Sequence, residues 1–172
     1  MSAVARVAIL GAESSGKSTL AAALASHHGT LWVPEYLREF VDTLGRVPAE
    51  GDQYLIARTQ MEREDAAALE ASRFLFCDTT PLMTALYSRW YWGRVDAQLS
   101  LLERRHDYAL TLVTAPDSPW EADGLQRESE QVRQTIHEQV LQMLHERDIA
   151  YTVVTGSLEQ RLLQATRLLD TV

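Results

Sequence analysis

This sequence predicts a three-layer α/β sandwich on a parallel sheet. Three observations carry the prediction. Short apolar runs alternate with helix-patterned segments along the chain. The main runs are hydrophobic at consecutive positions, as strands covered on both faces are. The first run ends in a glycine-rich turn that opens straight into a helix. Such alternation builds βαβ units, and a ligand then sits beyond the carboxyl ends of the strands.

Val4 to Leu10 (VARVAIL) reads as the first strand and Lys17 to His28 as an Ala/Leu-rich helix closed by Gly29. Leu31 to Val33 is a short second strand, and Glu35 to Leu44 a helix ending at Gly45. Gln53 to Ser72 carries long helix formers with a broad polar face. Phe74 to Cys77 is a third strand ending at Asp78. Thr80-Pro81 fits an N-cap with proline at the first helical position, for a helix running to Trp92. Leu99 to Arg105 is a further helical turn or two, Tyr108 to Thr114 a fourth strand, and Glu128 to Glu146 a Gln-rich helix. Tyr151 to Val154 is the fifth strand. Ser157 and Gln160 fit a capping box, opening a last helix with Leu158, Leu162, Ala165 and Leu169 on its apolar face.

The 172 residues predict a single domain, 1–172, with 46% hydrophobic and 23% charged residues. The net charge is −8, which disfavours nucleic acid and anionic membrane as partners. Of the 16 basic residues fifteen are Arg, and the single lysine is Lys17. One cysteine, Cys77, permits no internal disulfide and fits a buried, inert role in a cytoplasmic protein. The start MSAVARVAILG lacks the pattern of a secretory signal, and no stretch has the length of a membrane span. The five histidines show no metal-ligand spacing with Cys77. His27 and His28 end the first helix, where a cation complements the dipole.

Gly11-Ala-Glu-Ser-Ser-Gly16-Lys17-Ser18 fits G-x-x-x-x-G-K-[ST] without a mismatch, with a strand before it and a helix after it. It predicts a phosphate loop, and hence a P-loop NTPase sandwich binding ATP and Mg²⁺. Gly11 and Gly16 accept backbone angles that a Cβ resists. Successive N–H groups make an anion nest, to which the following helix adds its positive end. Gly11, Glu13, Ser14, Ser15, Gly16, Lys17, Ser18 and Thr19 are the candidate nucleotide contacts. Lys17 reaches the β- and γ-phosphates, and Ser18 can ligate the metal. The bland alternative is a chance Gly-rich turn.

Asp78 closes the third strand where the Mg²⁺-associated acid of such folds stands. It can hold Mg²⁺ through water or take the proton of an attacking hydroxyl; the alternative is a helix N-cap. Residues 115–133 are turn-rich and read as a lid that excludes water. Arg127 and Arg133 are its cations, and Arg133 also fits a solvated helix face paired with Glu128 and Glu130. Trp120, in the same loop with Asp123, offers a stacking surface for a flat ring or a peg under the lid. Glu35 and Tyr36 follow the second strand on the same rim. Glu35 can bind ribose hydroxyls or a cation and Tyr36 can stack on a base, or the pair simply starts a helix. Trp90-Tyr91-Trp92 fits core packing or a subunit contact, which leaves a homo-oligomer open.

Several segments together resemble the ribosylnicotinamide kinase domain of the NadR-type NAD-biosynthesis proteins. GAESSGKSTL looks like that family's GGESSGKSTL, and the segment from Trp32 to Glu39 is similar to its WEYGR. Phe76-Cys77-Asp78-Thr79-Thr80 resembles FxDTD, and Pro116 to Arg127 resembles the lid PWVxDGLR. The resemblance implies strand order 2-3-1-4-5 and transfer of the ATP γ-phosphoryl group to nicotinamide riboside. It also implies that Glu35, Tyr36, Asp78, Trp120 and Asp123 surround the riboside and that Arg127 is the lid cation. Thr155, Gly156 and Arg161 would then lie near adenine. Thr80 stands where the family has the second acid of DTD. The helix-turn-helix and adenylyltransferase domains of longer members have no counterpart in these residues. The competing expectations are a kinase for another nucleoside or sugar, and a nucleotide switch or remodelling ATPase. Against a GTPase, Thr114-Ala115-Pro116-Asp117 lacks the asparagine and lysine of N-K-x-D.

Overall fold

A computed structural model describes residues 3–120 and 129–172. The chain order is β1 (Ala5–Leu10), α1 (Lys17–His28), β2 (Leu31–Val33), α2 (Tyr36–Leu44), a 3-10 turn (Glu50–Asp52), α3 (Gln53–Ala68), β3 (Phe74–Asp78), α4 (Pro81–Trp92), α5 (Ala97–Glu103), β4 (Leu110–Thr114), α6 (Glu130–Glu146), β5 (Thr152–Val154) and α7 (Leu158–Leu169). All strand pairs are parallel, in the order β2-β3-β1-β4-β5 that the resemblance implied. The three-residue strands β2 and β5 form the two edges.

Side chains alternate across each strand, so β1 feeds two cores. Val7 and Ile9 pack with Leu20 and Leu24 of α1 and with Ala165 and Leu169 of α7. Ala8 and Leu10 pack on the other face with Leu82 and Leu86 of α4 and Ile136 and Val140 of α6. A third cluster sets Val33, Leu75 and Cys77 against Ala67 and Ala68 of α3. Leu20 and Leu24 are fully buried, each worth roughly 1.5–3 kcal/mol. These layers bring the carboxyl ends of β1, β2, β3 and β4 onto one rim.

Several expectations change at the level of side chains. Thr80 is the N-cap of α4 but makes no side-chain capping bond, whereas Ser157 and Gln160 form the full capping box on α7. Asp96 caps α5 by accepting from Gln98 and Leu99 N–H groups. Leu158 is 43% exposed, and Arg161 occupies the buried face beside Ala165 instead. Trp90 and Tyr91 are not core residues; both are exposed, and Tyr91 stacks on Tyr87. His28 packs against Phe74, and burial lowers its pKa, so the cation expected there is disfavoured.

The polar face of α3 is partly internal. Glu64 is fully buried and accepts both of its short hydrogen bonds from the Tyr108 hydroxyl, at 2.8 and 3.0 Å. Arg6 lies 3.5 Å away. Burial pushes Glu64 up to about 7. Among the described residues no helix is long and apolar enough to cross a membrane.

Candidate active site

The turn after β1 folds as the sequence demands. A Cβ on Gly11 would overlap the Thr114 hydroxyl and come within 2.8 Å of Ser15 Oγ, because β4 supports the loop from behind. Ser15 Oγ donates to the Ala12 carbonyl at 2.5 Å and lies 2.7 Å from Thr114 Oγ1. Gly16 is the N-cap of α1 at φ 87°, a conformation that disfavours any side chain. Lys17 arcs back over the loop, and its Nζ donates to the Ala12 carbonyl at 3.0 Å.

Residues 14–19 line a cavity of about 430 Å³ with Glu35, Arg38, Asp78, Ser118 and Pro119. Asp78, at the end of β3, is 2% exposed. Burial, and then the negative charge of Glu35, push its carboxyl up to about 7, against the attraction of Lys17 and Arg38. It does not cap α4; its Oδ1 accepts from the Thr79 hydroxyl at 3.4 Å. Thr79 has φ 75°, an outlier for a β-branched residue that costs about 1–3 kcal/mol. Its N–H is held by the Ile9 carbonyl at 3.0 Å, so β1 braces the residue next to Asp78.

Glu35 is the N-cap of α2, makes no side-chain capping bond, and lines the cavity. The buried amide of Gln60 secures this rim. It accepts from Tyr36 N–H at 2.7 Å and donates to the Pro34 and Asp78 carbonyls at 3.2 and 3.3 Å. Ser18 and Asp78 supply a hydroxyl and a carboxylate to one polar cavity. That donor set fits Mg²⁺, which keeps several waters and takes its other ligands from phosphate.

Of the expected site residues, Ser14, Ser15, Gly16, Lys17, Ser18, Thr19, Glu35 and Asp78 meet in this cavity. Gly11 and Glu13 are buried in the turn beneath. The Tyr36 ring instead packs against Phe40, with the Arg63 guanidinium 4.8 Å above it. Trp120 is half-buried, and its Nε1 has no partner among the described residues. Thr155 and Gly156 form an exposed turn tied to Gln164 and Asp117. Arg161 is buried among backbone carbonyls. Arg133, expected on a solvated face, is 2% exposed because the Ser14, Pro116 and Ser118 carbonyls draw its guanidinium inward. It does pair with Glu130. Asp123, Arg127 and Glu128 lie outside the described residues.

The sequence reading missed Arg38, Ser118 and Gln60. Arg38 stands three residues after Glu35, nearly one helical turn, which is a usable signal; nothing local marks the other two.

A family described as AAA domain matches residues 6–161. The chain is 31% identical over 155 residues to the trifunctional NAD biosynthesis/regulator protein NadR of Salmonella typhimurium, covering 86% of this chain and 37% of that protein. It therefore spans little more than a third of that relative's length. A crystal structure of NadR in complex with NAD and AMP-PNP superposes with TM-score 0.80 at 18% identity, covering 98% of this chain and 50% of that one. NadR in complex with NR gives 0.76 at 17% identity, covering 98% and 52%. Thymidylate kinase from Ehrlichia chaffeensis gives 0.67 at 13% identity, covering 98% and 100%. At these identities the structural matches show a shared fold. With its phosphate loop, strand order and nearly full-length match, the chain belongs to the AAA domain family.

Proposed function

We propose that this protein is an ATP-dependent kinase that phosphorylates the 5′-hydroxyl of nicotinamide riboside, yielding ADP and nicotinamide mononucleotide. The observation that carries the proposal is the cavity that Lys17 and Ser18 line together with two carboxylates, Asp78 and Glu35. The likeness to NadR supports the acceptor. So does charge: the pyridinium ring of the riboside is cationic, and two acids on the acceptor side suit it.

The loop N–H groups and Lys17 would hold the triphosphate and take up charge that develops on the transferring group. Ser18, with Asp78 at the same opening, would hold Mg²⁺, which would supply positive charge against the phosphates. Asp78 would serve either through water on Mg²⁺ or as the acceptor of the hydroxyl proton, roles that need different distances. Glu35 would fix the ribose on the same rim, and the 115–133 segment would exclude water, with Arg127 as its cation, Trp120 against the ring and Asp123 beside the riboside. Thr155 and Gly156 would border the adenine.

The test is ADP release from Mg-ATP without acceptor, and then with nicotinamide riboside, other ribosides or thymidine. Stimulation confined to nicotinamide riboside supports the proposal. Stimulation by another nucleoside keeps the mechanism and replaces the acceptor. Acceptor-independent hydrolysis overturns the kinase reading in favour of a switch ATPase.

A further inference from the structure

Two arginines, read from sequence as cations for a nucleotide or a solvated face, stand behind the phosphate loop. Arg133 and Arg161 are 2% and 5% exposed. Arg133 reaches from α6 and donates through Nη1 to the Ser14 carbonyl at 3.0 Å. Its Nη2 donates to the Pro116 and Ser118 carbonyls at 3.4 and 2.7 Å. Arg161 reaches from α7 and donates through Nη1 to the Ser15 carbonyl at 2.5 Å. Its Nη2 donates to the Ala115 carbonyl at 2.8 Å and to Asp117, and its Nε to the Gly156 carbonyl at 3.1 Å. Two consecutive carbonyls of the loop thus each end on a buried guanidinium.

A trans peptide holds its C=O and the next N–H antiparallel. Fixing the Ser14 carbonyl outward turns the Ser15 N–H towards the cavity; fixing the Ser15 carbonyl does the same for Gly16. The first of these peptides needs support, because Ser14 sits at φ 58°, where a side-chain-bearing residue is uncommon. At the second, Arg161 Nη1 would lie 3.0 Å from a Cβ on Gly16, so the guanidinium lies close against the loop itself. A cation on the carbonyl also polarises the peptide and strengthens its N–H as a donor.

We infer that Arg133 and Arg161 are positioning residues that set the anion nest from behind, by pinning the Ser14 and Ser15 carbonyls rather than by touching nucleotide. The inference rests on the reading of this loop as a nucleotide-phosphate site. It does not depend on which acceptor is phosphorylated. Arg133 also donates to the Pro116 and Ser118 carbonyls and Arg161 to Ala115 and Asp117, so the same two side chains tie the loop to the segment after β4.

The test is calorimetric binding of ADP and ATP to wild type, Arg133→Lys and Arg161→Lys. Lysine keeps the charge but not the planar fork that spans several carbonyls. The nest N–H groups cradle the α- and β-phosphates, so both nucleotides should weaken about tenfold with the ATP:ADP affinity ratio unchanged. Loss confined to ATP would mean a direct contact with the γ-phosphate and overturn the inference; so would unchanged ADP affinity in a folded variant. The amide ¹⁵N resonance of Gly16 gives a second readout: tripolyphosphate should shift it in wild type and much less in Arg161→Lys. Should wild type bind ADP yet phosphorylate no riboside, the kinase proposal falls, and weakened ADP binding by the two variants still upholds this inference. Equal ADP binding by all three proteins overturns this inference and leaves the kinase proposal to the riboside assay.

Discussion

Replacing Asp78 with Asn should make the nucleotide-free protein more stable at pH 8 while removing its turnover. The buried carboxyl is pushed from 3.8 to about 7 by burial and by Glu35. Between those values the folded chain keeps a proton that the unfolded chain has released, so stability falls as pH rises through that window. Below about pH 3.8 both states are protonated and the cost vanishes; above about pH 7 both are ionised and it is complete. A window of about three pH units at about 1.4 kcal/mol each amounts to ~4 kcal/mol. The attractions of Lys17 and Arg38 are already contained in the value near 7. Asn keeps the shape, and its amide oxygen still accepts from the Thr79 hydroxyl. Urea denaturation of wild type and Asp78→Asn at intervals from pH 4.5 to 8 measures the gain, with equal m-values as the control for the unfolded state. The difference should approach ~4 kcal/mol at pH 8 and shrink steadily towards acid. Glu64 titrates in the same range in both proteins and cancels. A pH-independent difference, or a variant less stable than wild type at pH 8, would refute the reasoning. Stability given up at a charged, water-poor site is a common cost of function.

Three other outcomes are expected. Lys17→Ala should lower riboside-dependent ADP release by about 100–1,000-fold, the scale of losing a preorganised charge, with the far-UV spectrum unchanged. Glu64→Gln should raise stability above pH 7 by ~3 kcal/mol, since that carboxyl is held near 7 by burial, and should leave turnover as it was; denaturation at pH 5 and 8 shows the sign. Ser157→Ala should cost about 1 kcal/mol by removing the hydroxyl that accepts from Gln160 N–H, read as a drop in melting temperature.

The phosphate loop and Asp78 were legible because each is a local pattern: a turn between strand and helix, and an acid ending an apolar run. The strands and most helix bounds were legible for the same reason. What stayed hidden is polar and long-range. Gln60 looks like one more solvated position on a polar helix, yet its amide meets groups 18 to 26 residues away. Arg133 reaches Ser14 across 119 residues, and Arg161 reaches Ser15 across 146. Helical periodicity sorts apolar from polar positions; it does not say which polar residues will be drawn inside by unpaired carbonyls. The same blindness put the exposed Leu158 on the apolar face of α7 and did not mark the buried Arg161 beside Ala165. At Trp90 and Tyr91 the core alternative fails, since both rings are exposed, and the subunit-contact alternative is the one left.

The brevity of β2 and β5 bears on how copies of this protein can meet. Each outer strand is only three residues long, a poor template for another chain to add itself as a sixth strand. Continuous intermolecular sheets, and the aggregates that grow from them, are therefore denied a template, even though the inner strands are rich in the β-branched and aromatic residues that favour such growth. Among the described residues, the helix surfaces are the larger candidates for self-association, and substitutions there should change its affinity more than changes along the sheet margins.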